Sequence, residues 1–315
     1  MGICKLTVII CTYKPNLDIF NRILAALKQQ TFGYDQWELI IVDNNSPAPL
    51  DSEIDISWHP FAKIIIEQQQ GLAFARIRGV KEASTELIVF IDDDNVAQPN
   101  YLQQSLSIAS LQAEVGVFGG KALPDFYRHQ PADWVKNAGG LLGCRDFGNI
   151  ELISNTNKKN INEYPYFSPI GTGMCIRKQV FENYVNEIKN DSFRQNLGRK
   201  AAALTSGEDN DIVITALKNG WQVGYFPQLE ILHIIPAKRT TPEYLGNMNY
   251  AQNKSWATLL QYHGISPWQP IAKWTVPLRK IKAWVSSKAW QSSLNYMKWR
   301  GICGMFDGMA EIKAI

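Results

Sequence analysis

The sequence predicts an α/β fold: a mostly parallel central sheet flanked by helices, followed by a helical extension at the C-terminal end. Three observations predict it. Short, continuously apolar, β-branched runs alternate with segments of helical periodicity over the first 120 residues. Each run stops abruptly at a polar loop. After Glu243 the character changes, because residues 244–306 hold eight Lys or Arg, no Asp or Glu, and six of the ten tryptophans.

The elements follow in order. Leu6 to Ile10 is an unbroken apolar run, which suits a strand covered on both faces. Pro15 stops it, and Asn16 is the N-cap expected for a helix whose Leu17, Phe20, Leu24 and Leu27 share one face. Leu39 to Val42 is the second strand, ending at Asp43-Asn44-Asn45. Lys63 to Glu67 is the third, and Leu72 to Ala83 a helix. Leu87 to Ile91 is a fourth strand that runs into Asp92-Asp93-Asp94. Pro99 fits the first turn of a helix reaching about Leu111.

From about 120 to 205 the pattern is less regular. Gly139-Gly140, Gly143, Gly148 and Ser154 to Glu163 are expected in long loops, which in compact domains are often functional. Gly171 to Met174 leads into a strand and then a helix near Gln179–Ile188. Glu208 to Lys218 is a helix with an acidic first turn, and Trp221 to Phe226 and Leu229 to Ile235 are two further strands. In the extension, Trp274, Leu278, Ile281 and Val285 recur at helical spacing beside Lys280, Lys282 and Lys288.

Composition excludes several classes. With 315 residues, 45% hydrophobic and 19% charged, the chain is neither disordered nor in need of a metal or disulfide to fold. Its five cysteines are scattered and form no CxxC pair, which fits a reducing compartment. No apolar run approaches 18 residues, so no membrane-spanning helix is expected. The overall charge of +3 conceals an asymmetry: residues 1–243 carry −4.

In open α/β sheets, ligands bind beyond the carboxyl ends of the strands. Two or three carboxylates leaving one strand end repel each other and call for a cation. Such a cluster suits a hard ion, Mg²⁺ or Mn²⁺, shared with phosphate oxygens. A helix N-terminus also favours Asp, but the Pro99 helix starts several residues later and accounts for one aspartate at most. An EF-hand is excluded, since Val96 and Ala97 stand where that loop needs an oxygen and a glycine. Glu208-Asp209 is a second acidic cluster, which helix capping explains equally well.

These pieces, taken in order, resemble the GT-A glycosyltransferases of family 2, and in particular bacterial polysaccharide-type transferases, over roughly residues 5–240. The resemblance rests on Thr7 to Tyr13, Ile41 to Asn44, Gly71 to Arg76, Phe90 to Asp94, and Gly207-Glu208-Asp209. It implies a metal-dependent inverting transfer of a sugar from a nucleotide-diphosphate donor to a hydroxyl acceptor, in polysaccharide or glycolipid synthesis. It implies a catalytic domain over 1–243, with a nucleotide-sugar half to about 120 and an acceptor half from about 121, and an extension over 244–315. Thr12, Tyr13, Asp43, Arg76, Asp92 and Asp93 would contact the donor, and Asp94 would ligate the metal with His233 nearby. Arg239 would offset phosphate charge. Asp209 would be the catalytic base, with Glu208 beside it. Gly171, Thr172 and Gly173 would border the acceptor, with Trp134 a further candidate, although a core position suits that tryptophan as well. One departure is Ile77, where relatives often carry Asn.

Two other functions compete. A sugar-phosphate nucleotidyltransferase expects a Gly-rich, Arg-bearing loop after the first strand, which Cys11 to Pro15 does not supply. A catalytically silent membrane- or polysaccharide-binding protein would bind without turnover. The basic, Trp-rich end has three readings: contact with an anionic membrane surface through 244–306, nucleic-acid binding, or a helical cap with solvated lysines. The resemblance favours the membrane and leaves nucleic acid unexpected, giving a cytoplasmic protein peripheral on the inner face of the cell membrane.

Overall fold

A computed structural model describes residues 4–155, 164–198 and 207–311. Part of the expected loop between Ser154 and Glu163, residues 156–163, lies outside the described residues.

One sheet organises the molecule. Its strands are β1 (Leu6–Thr12), β2 (Trp37–Asp43), β3 (Ala62–Ile66), β4 (Leu87–Phe90), β5 (Asn95–Ala97), β6 (Val115–Asp125), β7 (Leu152–Ile153), β8 (Cys175–Arg177) and β9 (Gln222–Ile234). The order is β3-β2-β1-β4-β8-β6-β9-β5, with β7 also paired to β9. The first four are parallel neighbours, and so are β6 and β9. The antiparallel members β5, β7 and β8 are two or three residues long, so most of the sheet by length is parallel, as expected.

The helices are α1 (Leu17–Lys28), α2 (Leu72–Glu82), α3 (Tyr101–Leu111), α4 (Lys178–Ile188), α5 (Ser192–Gln195), α6 (Glu208–Lys218), α7 (Pro242–Tyr262), α8 (Val276–Ser286) and α9 (Ser293–Glu311). Side chains alternate across a strand, and β1 shows the consequence. Leu6, Val8 and Ile10 join Phe20, Ile23 and Leu27 of α1 on one face, while Ile9 joins Ala75 and Val80 of α2 on the other. Burial on both faces is why the strand is continuously apolar. The Asn16 side chain accepts from the Asp18 and Ile19 amides, which makes it the N-cap of α1.

Several elements differ from the sequence reading: β5, β7 and α5 were not expected, and α3 starts at Tyr101 with Pro99 outside it. The stretch around Gly139-Gly140 forms short helical turns over Asp133–Leu142, because Val135, Ala138 and Leu142 turn into a core shared with Ile235, Leu245 and Met297. Trp221–Phe226 and Leu229–Ile235 are one strand, β9, interrupted by a bulge where the partner of Gly119 is Tyr225 and that of Lys121 is Glu230. β6, which crosses the position where the two halves were divided, carries no strand signal strong enough to separate it from its loops. The boundary at 243/244 falls in the first turn of α7.

Candidate active site

The carboxyl ends of β1 and β4, the N-terminus of α6 and one face of α7 surround a cleft of about 900 Å³. Sheet topology puts the pieces there. β1 and β4 are parallel neighbours, so Thr12 and the Asp92–Asp94 turn leave the sheet at the same edge.

The turn is a compact charge cluster. The Thr12 hydroxyl donates to Asp93 Oδ2. Burial, then Asp94 and Asp92, push the Asp93 carboxyl up to about 7. Asp94 behaves oppositely. Burial would raise it, but His233 and Arg239 outweigh that and hold it well below the usual carboxylate range. Arg239 Nη1 donates to Asp94 Oδ2 at 2.7 Å, and His233 Nε2 lies 3.3 Å from the same oxygen. Burial alone would depress the His233 imidazole, but the Asp94 carboxylate lifts it to about 10. β5 pairs with β9 so that Asn95 lies opposite His233, which is how residues so far apart in sequence meet.

Arg76 ties this cluster to α6. It is 2% exposed and lies under three carboxylates. Its Nη1 donates to Asp209 Oδ1 at 2.7 Å and is 3.5 Å from Glu208 Oε1, and its Nη2 is 3.9 Å from Asp92 Oδ1. Burial works against the guanidinium charge, but Glu208, Asp209 and Asp92 more than restore it. The Asp209 carboxylate is held on its other oxygen by the Gly171 amide at 2.8 Å. A Cβ at Gly171 would crowd this pair, standing 2.7 Å from Arg76 Nη2 and 2.8 Å from Asp209 Oδ2, so a larger residue would push the two side chains out of their present geometry. Glu208 is buried, and that burial pushes its carboxyl up to about 7 although Arg76 opposes it.

The cleft gathers Thr12, Tyr13, Arg76, Asp92, Asp93, Asp94, Gly171, Thr172, Glu208, Asp209, His233 and Arg239. Three candidates lie elsewhere. Asp43 is buried and its Oδ1 accepts the Ser46 amide in a turn, leaving Asn44 at the wall. Asn44 accepts from the Gly71 amide and donates to the Glu67 and Gln69 carbonyls, so it fixes the loop that leads into α2. Gly173 turns away with φ +71°, and its carbonyl accepts the Tyr101 hydroxyl. Trp134 packs against the core of Val135, Ile235 and Leu245, so the acceptor role considered for it is corrected to a packing one.

Sequence reasoning missed one wall. Tyr244, Met248, Gln252 and Trp256 stand four residues apart on α7 and, with Asn253, line the cleft beside the N-terminus of α6. Their four-residue spacing is visible in the sequence, but nothing in the sequence tells which way that face points. Tyr164 and Tyr166 complete that side, with Tyr164 edge-on to Trp256 at 4.9 Å between ring centroids.

Among the described residues, no group of three His, Cys, Asp or Glu side chains is arranged to hold a metal unaided. Asp94 keeps a charged carboxylate, but its Oδ2 is already shared by Arg239 and His233, so an ion held there together with phosphates would have to draw the carboxylate away from those cations.

A profile of glycosyl transferase family 2 matches residues 7–185. The chain belongs to that family. This glycosyltransferase is 22% identical over 259 residues to glucosyl-dolichyl phosphate glucuronosyltransferase of Haloferax volcanii, covering 80% of this chain and 76% of that protein. It is 28% identical over 200 residues to the O-antigen biosynthesis protein RfbC of Myxococcus xanthus, covering 56% of this chain but 14% of that one. In fold it is similar to a crystal structure of S. aureus TarS 1-349, with TM-score 0.51 and 16% identity over 96% of this chain and 89% of the other. Family membership selects a glycosyltransferase over a nucleotidyltransferase or a silent binding protein. It implies a nucleotide-sugar donor and a saccharide or lipid-linked acceptor. Among the described residues, no helix is long and apolar enough to cross a membrane.

Proposed function

We propose that this glycosyltransferase inverts configuration at the transferred sugar, with Asp209 as general base and with Mg²⁺ or Mn²⁺ held at Asp94. The observation that carries the reading is that Asp94 and Asp209, 115 residues apart in sequence, line one cleft, where Arg76 bridges Asp209 to Asp92 of the turn that also carries Asp94. Bound there, the cation would act as a Lewis acid toward the diphosphate. The protein's own groups do the rest. As the bond from the sugar's anomeric carbon to the diphosphate breaks, negative charge grows on the leaving group, and Arg239 and His233 flank the place where it would lie. The Asp209 carboxylate, oriented by Arg76 and the Gly171 amide, takes the proton from the attacking hydroxyl. A single base with in-line attack gives inversion.

The wall of Tyr244, Gln252, Asn253 and Trp256 combines aromatic faces with amides, which suits a saccharide acceptor. The names of the two relatives support a lipid-linked or polysaccharide acceptor, and the inner face of the cell membrane suits such a substrate.

The test is transfer from a panel of nucleotide sugars to oligosaccharide and lipid-linked acceptors, with Mn²⁺ or with chelator. Asp209→Asn is expected to lower transfer about 10²–10⁴-fold. Asp94→Asn and chelation are expected to abolish it, and the product anomer read by NMR is opposite to the donor's. Unchanged transfer in both variants overturns the reading.

A further inference from the structure

The basic C-terminal region divides into parts with different tasks. α7 gives one face to the cleft, and α9 packs along α7. α8 is the outermost of the three. It is fixed to α9 by Trp284 edge-on to Trp299, by the Trp299 indole donating to the Lys280 carbonyl, and by the Lys280–Asp307 ion pair at 2.7 Å. Val276 and Ala283 are the buried residues of α8. Trp274 stands in the short turn Lys273–Thr275 that leads into α8, and at 100° per residue Leu278, Ile281 and Val285 fall within an arc of about 60° on the side opposite those buried residues. The four are 78%, 66%, 62% and 58% exposed.

A helix that already has one buried face does not need a second apolar stripe pointing outward. Isolated exposed apolar residues are ordinary, whereas four in one row mark a contact surface. Charge decides the partner. Lys273 and Lys282 are exposed on either side of the stripe, Arg279 and Lys288 are exposed close by, and the turn that follows carries Trp290 at 57% exposure. No acidic residue occurs between 244 and 306. A second copy docked on this face by two-fold symmetry would set the basic flanks against each other. An anionic bilayer matches both properties, with apolar side chains and tryptophan at headgroup depth and lysines reaching the lipid phosphates.

We propose that α8 and the turn leading into it form an in-plane membrane-docking element, binding anionic lipid surfaces through Trp274, Leu278, Ile281 and Val285 flanked by Lys273 and Lys282. α7 and α9 have no such role. They hold α8 to the body and build the cleft. Of the basic C-terminal region, only this outer face meets lipid.

The experiment is vesicle flotation, which requires no turnover and so stands or falls apart from the proposed reaction. Vesicles of phosphatidylcholine alone are compared with vesicles containing about one third phosphatidylglycerol, at low and high salt. Wild type is expected to float with the anionic vesicles, less at high salt, and to remain in solution with the zwitterionic ones. Leu278→Asp with Ile281→Asp is expected to lower binding about tenfold or more with an unchanged unfolding midpoint, because both side chains face solvent. Lys273→Glu with Lys282→Glu is expected to remove the preference for anionic lipid. A further measurement on the unaltered fold is tryptophan quenching by brominated lipid, which should fall in Trp274→Phe. Failure of the wild type to float, or floating that the aspartate pair leaves intact, overturns the proposal. So does a wild-type dimer that becomes a monomer in that pair, which would assign the face to a second copy.

Discussion

Arg76 fixes the charge balance of the cleft. One buried guanidinium faces Glu208, Asp209 and Asp92, and its short bond goes to Asp209. Glu208 therefore receives less than a full partner, and burial dominates it. The sign of the pH effect follows. A carboxyl whose pKa is raised by folding, here from 4.5 to about 7, contributes stability that is fully present below 4.5 and is lost as pH rises through about 7. Thermal unfolding of wild type should thus decline from pH 5 to 8 more steeply than that of Glu208→Gln, which has no proton to lose. Parallel curves would show that the carboxyl titrates normally. A lysine at Arg76 would not substitute, since a point charge cannot bridge three carboxylates as a planar fork does. Part of this residue-level chemistry was legible: Asp94 and His233 stand at strand ends and Asp209 in a first turn, where topology predicts ligand contacts, whereas Arg76, in the second turn of α2, was pointed to by the resemblance alone. Asp43 stands in the same kind of place, but its Oδ1 accepts the Ser46 amide in a turn and the residue is not among those lining the cleft.

At the scale of elements, apolar runs with sharp polar ends were readable, and β1, β2, β4, α1 and α2 appear within a residue or two of expectation. The elements that were not legible depend on neighbours. β6 has Gly119-Gly120 at its centre, which weakens any strand signal, yet those glycines let β9 bulge against it. A Cβ on Gly120 would stand 1.9 Å from the Leu229 carbonyl oxygen and 2.5 Å from that of Phe226. Those atoms are backbone and cannot move aside cheaply. Gly120→Ala is expected to cost about 2 kcal/mol or more in chemical denaturation. Gly140→Ala, with nothing within 4 Å of the new methyl, is expected to be nearly neutral. Equal midpoints for the two would refute the close approach. α7 was hidden differently. Its four-residue spacing announces a helix face, but no sequence signal says that the face looks into a cleft built by the first half of the chain.

For the molecule as a whole, the cleft closes only because the chain returns to it from Cys11 to Trp256. Arg239 is the link between its ends. It lies in the short turn Ala237–Thr240, just before α7, and its guanidinium binds Asp94 beyond β4. A nucleoside diphosphate bound with Mn²⁺ would compete for both partners, because phosphate oxygens attract the guanidinium and the cation attracts the carboxylate. Binding at the strand ends should therefore be felt in the first turns of α7. Hydrogen exchange is the measurement. With a nucleoside diphosphate and Mn²⁺, amides of 92–95 and of 237–248 are expected to slow together, since a ligand that binds only the folded cleft opposes its local opening. α8, separated from the cleft by α7 and α9, is expected to exchange at an unchanged rate. Asp94→Asn should remove the effect from both segments at once. Slowing confined to 92–95, with 237–248 untouched, would mean that Arg239 keeps Asp94 when the donor arrives and that the C-terminal helices stay outside donor binding.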